Sequence, residues 1–172
     1  DEIPNLVHKD IKKIKNKIIL FRQAFFYYKF NLKIINFSWH GSRACTKENL
    51  ISPQWLRNIK DKKYPLWRID SWLSKKKYQN IKIIKNGGWH FSNIKTAADI
   101  DIKMKTYLHH REYELNPVGE KRINEIIKEK KPIYNLKTDM KGNKFDSSDE
   151  LAVADISELP YYIQKNIDKY KD

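Results

Sequence analysis

At 172 residues and 20.7 kDa, the chain is long enough to bury a real core as one domain. Its 40% apolar and 13% aromatic fractions exclude a disordered chain. No apolar run approaches the length that spans a bilayer. The one cysteine, Cys45, excludes an internal disulfide framework and a multi-cysteine metal site, and suits a reducing compartment. The formal charge of +14 raises the alternative of a basic nucleic-acid-binding module, but 29 of the 35 basic residues are lysines scattered along the chain and no nucleic-acid motif accompanies them. No nucleic acid is therefore expected as a partner; a basic surface also suits an anionic membrane face or a phosphate-bearing ligand.

The chain opens on Asp1-Glu2-Ile3-Pro4-Asn5, two carboxylates ahead of a proline that stops regular pairing. Such oxygen donors beside a loop suit a hard divalent cation; an exposed terminus is the plainer alternative. Over 7–17, isoleucines at helical spacing predict a short amphipathic helix. Residues 18–32, dense in β-branched and aromatic side chains, predict one long or two shorter strands, their Phe and Tyr rings inward. A turn at Trp39-His40-Gly41 leads into another strand, and Ser52-Pro53 reads as an N-cap followed by proline at the first helical position. Residues 60–80 read as a long polar connection anchored by Trp67, Ile69, Trp72 and Leu73, before a short strand at 81–85.

The most informative stretch follows, Asn86-Gly87-Gly88-Trp89-His90-Phe91-Ser92. Two glycines allow a sharp bend or a close approach that a Cβ would block. The indole, imidazole, phenyl and hydroxyl after them form a ligand-facing set, or else a hairpin whose rings fill the core. Thr96 with Asp99 three residues on is a variant capping box, which gives Asp99 a structural task, and the helix it opens should reach about His109. His109 and His110 near a helix end are favoured as cations or are candidate metal or phosphate ligands. A charged helix over 119–131 should stop at Pro132, a turn should occupy 141–144, and a last helix should start at Ser157 and pack Leu159, Ile163 and Ile167 inward.

Together, Asp1-Glu2-Ile3-Pro4, Trp39 with Gly41, the Gly-Gly-Trp-His-Phe-Ser string, His110-Arg111-Glu112 and the closing Leu159-Pro160-x-Tyr162-x-x-x-Asn166 resemble glycosyltransferase family 17. That family includes the β-1,4-mannosyl-glycoprotein N-acetylglucosaminyltransferase that adds the bisecting sugar. The resemblance implies an α/β fold of glycosyltransferase-A type, a mixed sheet with flanking helices, of which residues 1–172 would be the C-terminal part of a single domain. It further implies Mn²⁺ (or Mg²⁺) held by an Asp-x-Asp motif whose second Asp is Asp1; the first Asp and the nucleotide-binding strands would lie upstream. Metal ligands would be Asp1, His90 and His110. The donor, UDP-N-acetylglucosamine or a similar nucleotide sugar, and a glycan acceptor would meet Gly87, Gly88, Trp89, His90, Phe91, Trp39, Lys103 and Arg111. Inverting transfer needs a base, for which Glu112 is preferred over Asp99. A bacterial or viral relative would work in the cytoplasm or at the inner membrane face, an animal-type one in the Golgi.

Overall fold

The computed structural model describes residues 2–6, 13–15, 17–62, 64–75, 77–78, 80–107, 110–136 and 149–170; the side chains of His110 and Glu112 lie outside that description. So do Asp1, His109, most of the helix expected over 7–17 and the turn expected over 141–144. The fold is mixed α/β. Contacts divide the chain into two compact units, one of residues 1–24 and 38–90, the other of 25–37 and 91–172.

In the first unit, β2 (Ile18–Phe21) is central to a mixed three-stranded sheet, antiparallel to β5 (Arg43–Cys45) and parallel to β6 (Ile81–Ile84). Being covered on both faces explains why β2 reads as an unbroken apolar run, with all four residues buried. Ile18, Leu20 and Ile81 pack under α1 (Pro53–Asn58) through Trp55 and Ile59. Ser52 caps α1 by accepting from the Trp55 amide at 3.0 Å, with Pro53 first in the helix, as the sequence predicts. At the other end of α1, the Arg43 guanidinium donates to the carbonyls of Leu56, Arg57 and Ile59 at 3.1, 2.6 and 2.5 Å, filling acceptors that a helix end leaves open.

The connection over 60–80 departs from expectation. Trp67, Ile69, Trp72 and Leu73 do not anchor it to a core. They lie on or beside one short helical turn, α2 (Ile69–Leu73), with their side chains exposed; the buried residue of that turn is Ser71. Ser71 is small enough to sit against the unit, and its Oγ–H donates to the Arg68 carbonyl at 2.7 Å. The large residues therefore turn outward.

The other sheet has the strand order β1 (Glu2–Pro4), β7 (Gly88–Ser92), β3 (Gln23–Tyr27), β4 (Leu32–Trp39), β8 (Leu151–Val153). The 18–32 stretch thus holds two strands, β2 and β3, with their aromatic side chains inward. Pro4, which lacks an amide hydrogen, falls on an edge strand, where that lack is tolerated.

In the second unit, Tyr27, Leu32 and Ile34 pack with Ile100 and Met104 of α3 (Ala97–Thr106), Tyr113 of α4 (His110–Leu115) and Ile123 of α5 (Gly119–Lys128). Thr96 caps α3 by accepting from the Asp99 amide. Buried Asp101 joins the three helices: it accepts from the Tyr113 hydroxyl at 2.6 Å and from Lys105 at 2.5 Å, and that hydroxyl accepts from the Gly119 amide at 3.1 Å. α5 ends before Pro132 because Lys130, at φ 53°, closes it. The Lys131 amide donates to Ile126 and that of Lys130 to Ile127, a Schellman closure on a non-glycine residue. In place of one helix from Ser157 there is a single turn over Ile156–Glu158, capped by Asp155 and Glu158 reciprocally, and then α6 (Tyr161–Lys165), with Leu159 and Ile163 buried.

Candidate functional site

The two strings that dominate the sequence pair with each other. β1 runs antiparallel to β7 with Glu2 opposite His90, Ile3 opposite Trp89 and Pro4 opposite Gly88. Directly opposed residues share a face, so the Glu2 carboxylate and the His90 imidazole project together, with Oε1 3.6 Å from Nδ1. Trp89 is turned to the other face with Ile3.

The glycine pair explains how the strands meet. An added Cβ at Gly88, whose φ is +132°, would stand 2.0 Å from the Ile3 carbonyl oxygen; one at Gly87 would stand 2.9 Å from the Arg22 nitrogen and the Phe21 Cα. The room these residues leave is taken by the chain's own backbone. Gly87 donates to the Arg22 carbonyl at 2.7 Å and accepts from the Asn5 amide at 2.8 Å, which ties β1 to the end of β2. β6 and β7 belong to different sheets, so the bend between them is a crossing from sheet to sheet and not a hairpin.

Three further groups orient Glu2. The Trp39 indole N–H donates to Oε1 at 2.8 Å, and the Ser42 hydroxyl donates to Oε2 at 3.5 Å. Ser42 Oγ accepts in turn from the amide of buried Gln23 at 3.0 Å. The Trp39 ring lies 5.5 Å from the His90 ring, and Gly41 leaves clear the space that Glu2 Oε1 and the indole nitrogen occupy. The result is a carboxylate oxygen and an imidazole nitrogen side by side, the carboxylate oriented by an indole and a hydroxyl. An oxygen and a nitrogen so spaced can share one divalent cation. Among the described residues no group of three or more His, Cys, Asp or Glu is arranged around a metal position.

The other expected residues distribute as follows. Trp39 is partly exposed beside His90. Phe91, expected on a sugar ring, is buried between Phe26 and Phe30 at ring distances of 5.2 and 5.3 Å, so its faces serve the core of the second unit. Asp99, also in that unit, is exposed and receives the Thr96 hydroxyl at 2.7 Å. Lys103 donates to Asn93 at 2.6 Å, and Asn93 donates to the buried Tyr27 hydroxyl at 2.8 Å; burial and then Lys95 lower the pKa of that ammonium. Arg111 is exposed on α4. Asp1 and the side chains of His110 and Glu112 are outside the described residues.

Sequence reasoning read Asp1 and Glu2 together as oxygen donors but named Asp1 alone as a metal ligand, and it passed over Ser42 and Gln23. Only the cross-strand register distinguishes Glu2 from its neighbour, and Ser42 and Gln23 carry no motif. It also gave no role to His40, whose Nδ1 lies 3.2 Å from the Asp61 carboxylate, and whose imidazole pKa is lowered chiefly by burial. Compared with known families, curated proteins and solved structures, the chain finds no match.

Proposed function

We propose that the chain is part of a metal-dependent, inverting glycosyltransferase of the glycosyltransferase-A type, acting on a nucleotide-sugar donor and a glycan acceptor. One observation carries the reading. The two strings most specific to the family-17 resemblance, 88 residues apart at Glu2 and His90 (90 less 2), lie side by side in register.

The donor set fits the implied cation in kind. Glu2 supplies an oxygen and His90 a nitrogen at 3.6 Å separation, and Asp1 is the residue before Glu2. When bound there, Mn²⁺ would offset the charge of the departing diphosphate. The Trp39 N–H and the Ser42 hydroxyl orient the carboxylate. The exposed part of the Trp39 ring offers an apolar face to a sugar. In the transfer, the bond from the anomeric carbon to the diphosphate oxygen breaks as the acceptor oxygen bonds to that carbon. The acceptor's proton passes to a carboxylate, Glu112 in preference to Asp99, since Asp99 already receives the Thr96 hydroxyl.

The test is Mn²⁺ binding by titration calorimetry together with hydrolysis of UDP-N-acetylglucosamine and of other common donors. The reading expects Mn²⁺-dependent donor cleavage that falls at least tenfold in Glu2→Ala and in His90→Ala. Mn²⁺ binding that is absent, or unchanged in both variants, refutes it.

A further inference from the structure

We infer that α2 and the turn before it form a docking element for an anionic lipid surface. Leu66, Trp67, Ile69, Trp72 and Leu73 are each between 71% and 85% exposed, five large apolar side chains within eight positions. Singly exposed apolar residues are ordinary; a run of this density marks a contact surface.

The element is built to be rigid. The Trp72 indole donates to the Leu66 carbonyl at 3.1 Å, folding the turn on itself. Asp70 accepts from Nε and Nη2 of Arg68, each at 2.8 Å, and from Lys77 at 2.6 Å, and both cations lie over the Tyr64 ring at 5.4 and 5.7 Å. Downstream, the Trp55 indole donates to the Lys75 carbonyl at 2.8 Å, which fastens the strand end of the segment to the core under α1.

Charge selects the occupant. Residues 60–77 carry seven Lys or Arg against Asp61 and Asp70, and Asp70 is neutralised by its two cations. Cores of protein–protein interfaces are poor in lysine. Tryptophan and leucine exposed within a lysine-rich rim are what an anionic membrane interface takes: rings and alkyl chains enter the acyl boundary while ammonium groups stay with the phosphates. No helix among the described residues is long and apolar enough to cross a membrane, so the contact would be peripheral. This inference does not depend on the transferase reading.

The experiment is co-sedimentation of the whole chain with vesicles of phosphatidylcholine alone and of phosphatidylcholine with phosphatidylserine, with tryptophan emission read in parallel. Pelleting with the phosphatidylserine vesicles, a blue-shifted emission and release by raised salt are expected. The double variant Trp67→Ser, Trp72→Ser should partition at least tenfold more weakly, and Lys75→Gln about fivefold more weakly. Both indoles are exposed, and an unchanged circular dichroism spectrum would show that the double variant keeps its fold. Failure to pellet with phosphatidylserine vesicles overturns the inference, as does equal pelleting of the double variant. Sedimentation velocity showing a dimer that the double variant abolishes, without vesicle binding, assigns the patch to a second copy and likewise overturns it.

Discussion

Substituting the two adjacent glycines one at a time should give an order opposite to the one their steric overlaps suggest. Gly88 has the worse overlap, 2.0 Å to the Ile3 oxygen at a positive φ, against 2.9 Å for Gly87. Held in place, a Gly88→Ala side chain would cost several kcal/mol from strain and overlap together. The chain has a cheaper response. β1 is a three-residue edge strand whose central Ile3 is already 44% exposed. Besides its ladder, the Asn5–Gly87 and Trp39–Glu2 hydrogen bonds hold it, each worth about 1 kcal/mol net. Releasing residues 2–5 regains about 1–2 kcal/mol of backbone entropy each. Attachment is nearly balanced, so Gly88→Ala should release β1 and lower the stability of the first unit by only about 1 kcal/mol. Gly87→Ala has no such exit. Its Cβ meets the backbone of Phe21 and Arg22, and Phe21 is 3% exposed in the strand paired with β6. Relief there means shifting the sheet, an overpacking cost of about 1–3 kcal/mol, plus about 1 more if the Gly87–Arg22 bond stretches.

The readout is favourable because all five tryptophans fall within residues 38–90, so indole fluorescence follows the first unit alone. Urea unfolding should place Gly87→Ala well below Gly88→Ala in midpoint. Hydrogen exchange should show residues 2–6 opened in Gly88→Ala and not in Gly87→Ala. A Gly88→Ala midpoint at or below that of Gly87→Ala, with residues 2–6 still protected, would mean β1 is integral to the sheet and would refute the reasoning.

Glu2→Gln keeps the shape of the side chain but weakens a cation's hold; Mn²⁺ titration should show at least a tenfold loss, with the urea midpoint moving by less than about 0.5 kcal/mol. Arg43→Lys should cost nearly as much as Arg43→Ala, about 2 kcal/mol by tryptophan fluorescence, because one ammonium cannot stand at both places the guanidinium reaches, Nε on the His40 carbonyl and Nη1 on the carbonyls ending α1. Asp101→Asn should cost about 1–2 kcal/mol near neutrality by circular dichroism. Lys105 and then Tyr113 hold the Asp101 carboxyl below its ordinary range. Its contribution is therefore present above the unfolded value of about 3.9 and is lost as pH falls through the lower folded value, so the gap between wild type and Asp101→Asn should close in acid.

Local chemistry was legible in the sequence. Ser52-Pro53 and Thr96-x-x-Asp99 state their caps within four residues, and the β-branched and aromatic residues of 18–32 state one strand or two. What depended on distant parts of the chain was not. Trp67, Ile69, Trp72 and Leu73 have the composition of core residues, and only the placement of Ser71 against the unit shows that they turn outward. Phe91 reads as a ligand-facing ring until Phe26 and Phe30 are found on it. The helix stop at Lys130 could not be seen because a lysine at φ 53° carries no sequence mark, whereas Pro132 does. At the site, the sequence marked Trp39, His90 and the glycines, but the partner of His90 depended on a register between segments far apart in the chain.

That register is where sequence and candidate chemistry meet. Side chains alternate along a strand, so a slip of β1 by one residue would turn Glu2 to the Trp89 face and away from both His90 and the Trp39 indole. Pro4 cannot fix the register through an amide hydrogen bond, since it has none. Gly88 can. The Ile3 carbonyl passes within 2.0 Å of where a Cβ would stand, and among the three residues of β7 that face β1, only Gly88 lacks one. That close pass goes with the φ of +132° at Gly88, and the Asn5 bond to Gly87 holds the same alignment. The glycine that a functional reading would assign to ligand approach thus acts one step earlier: it selects the alignment that sets a carboxylate beside an imidazole, and any cation or sugar bound there inherits its geometry from that choice.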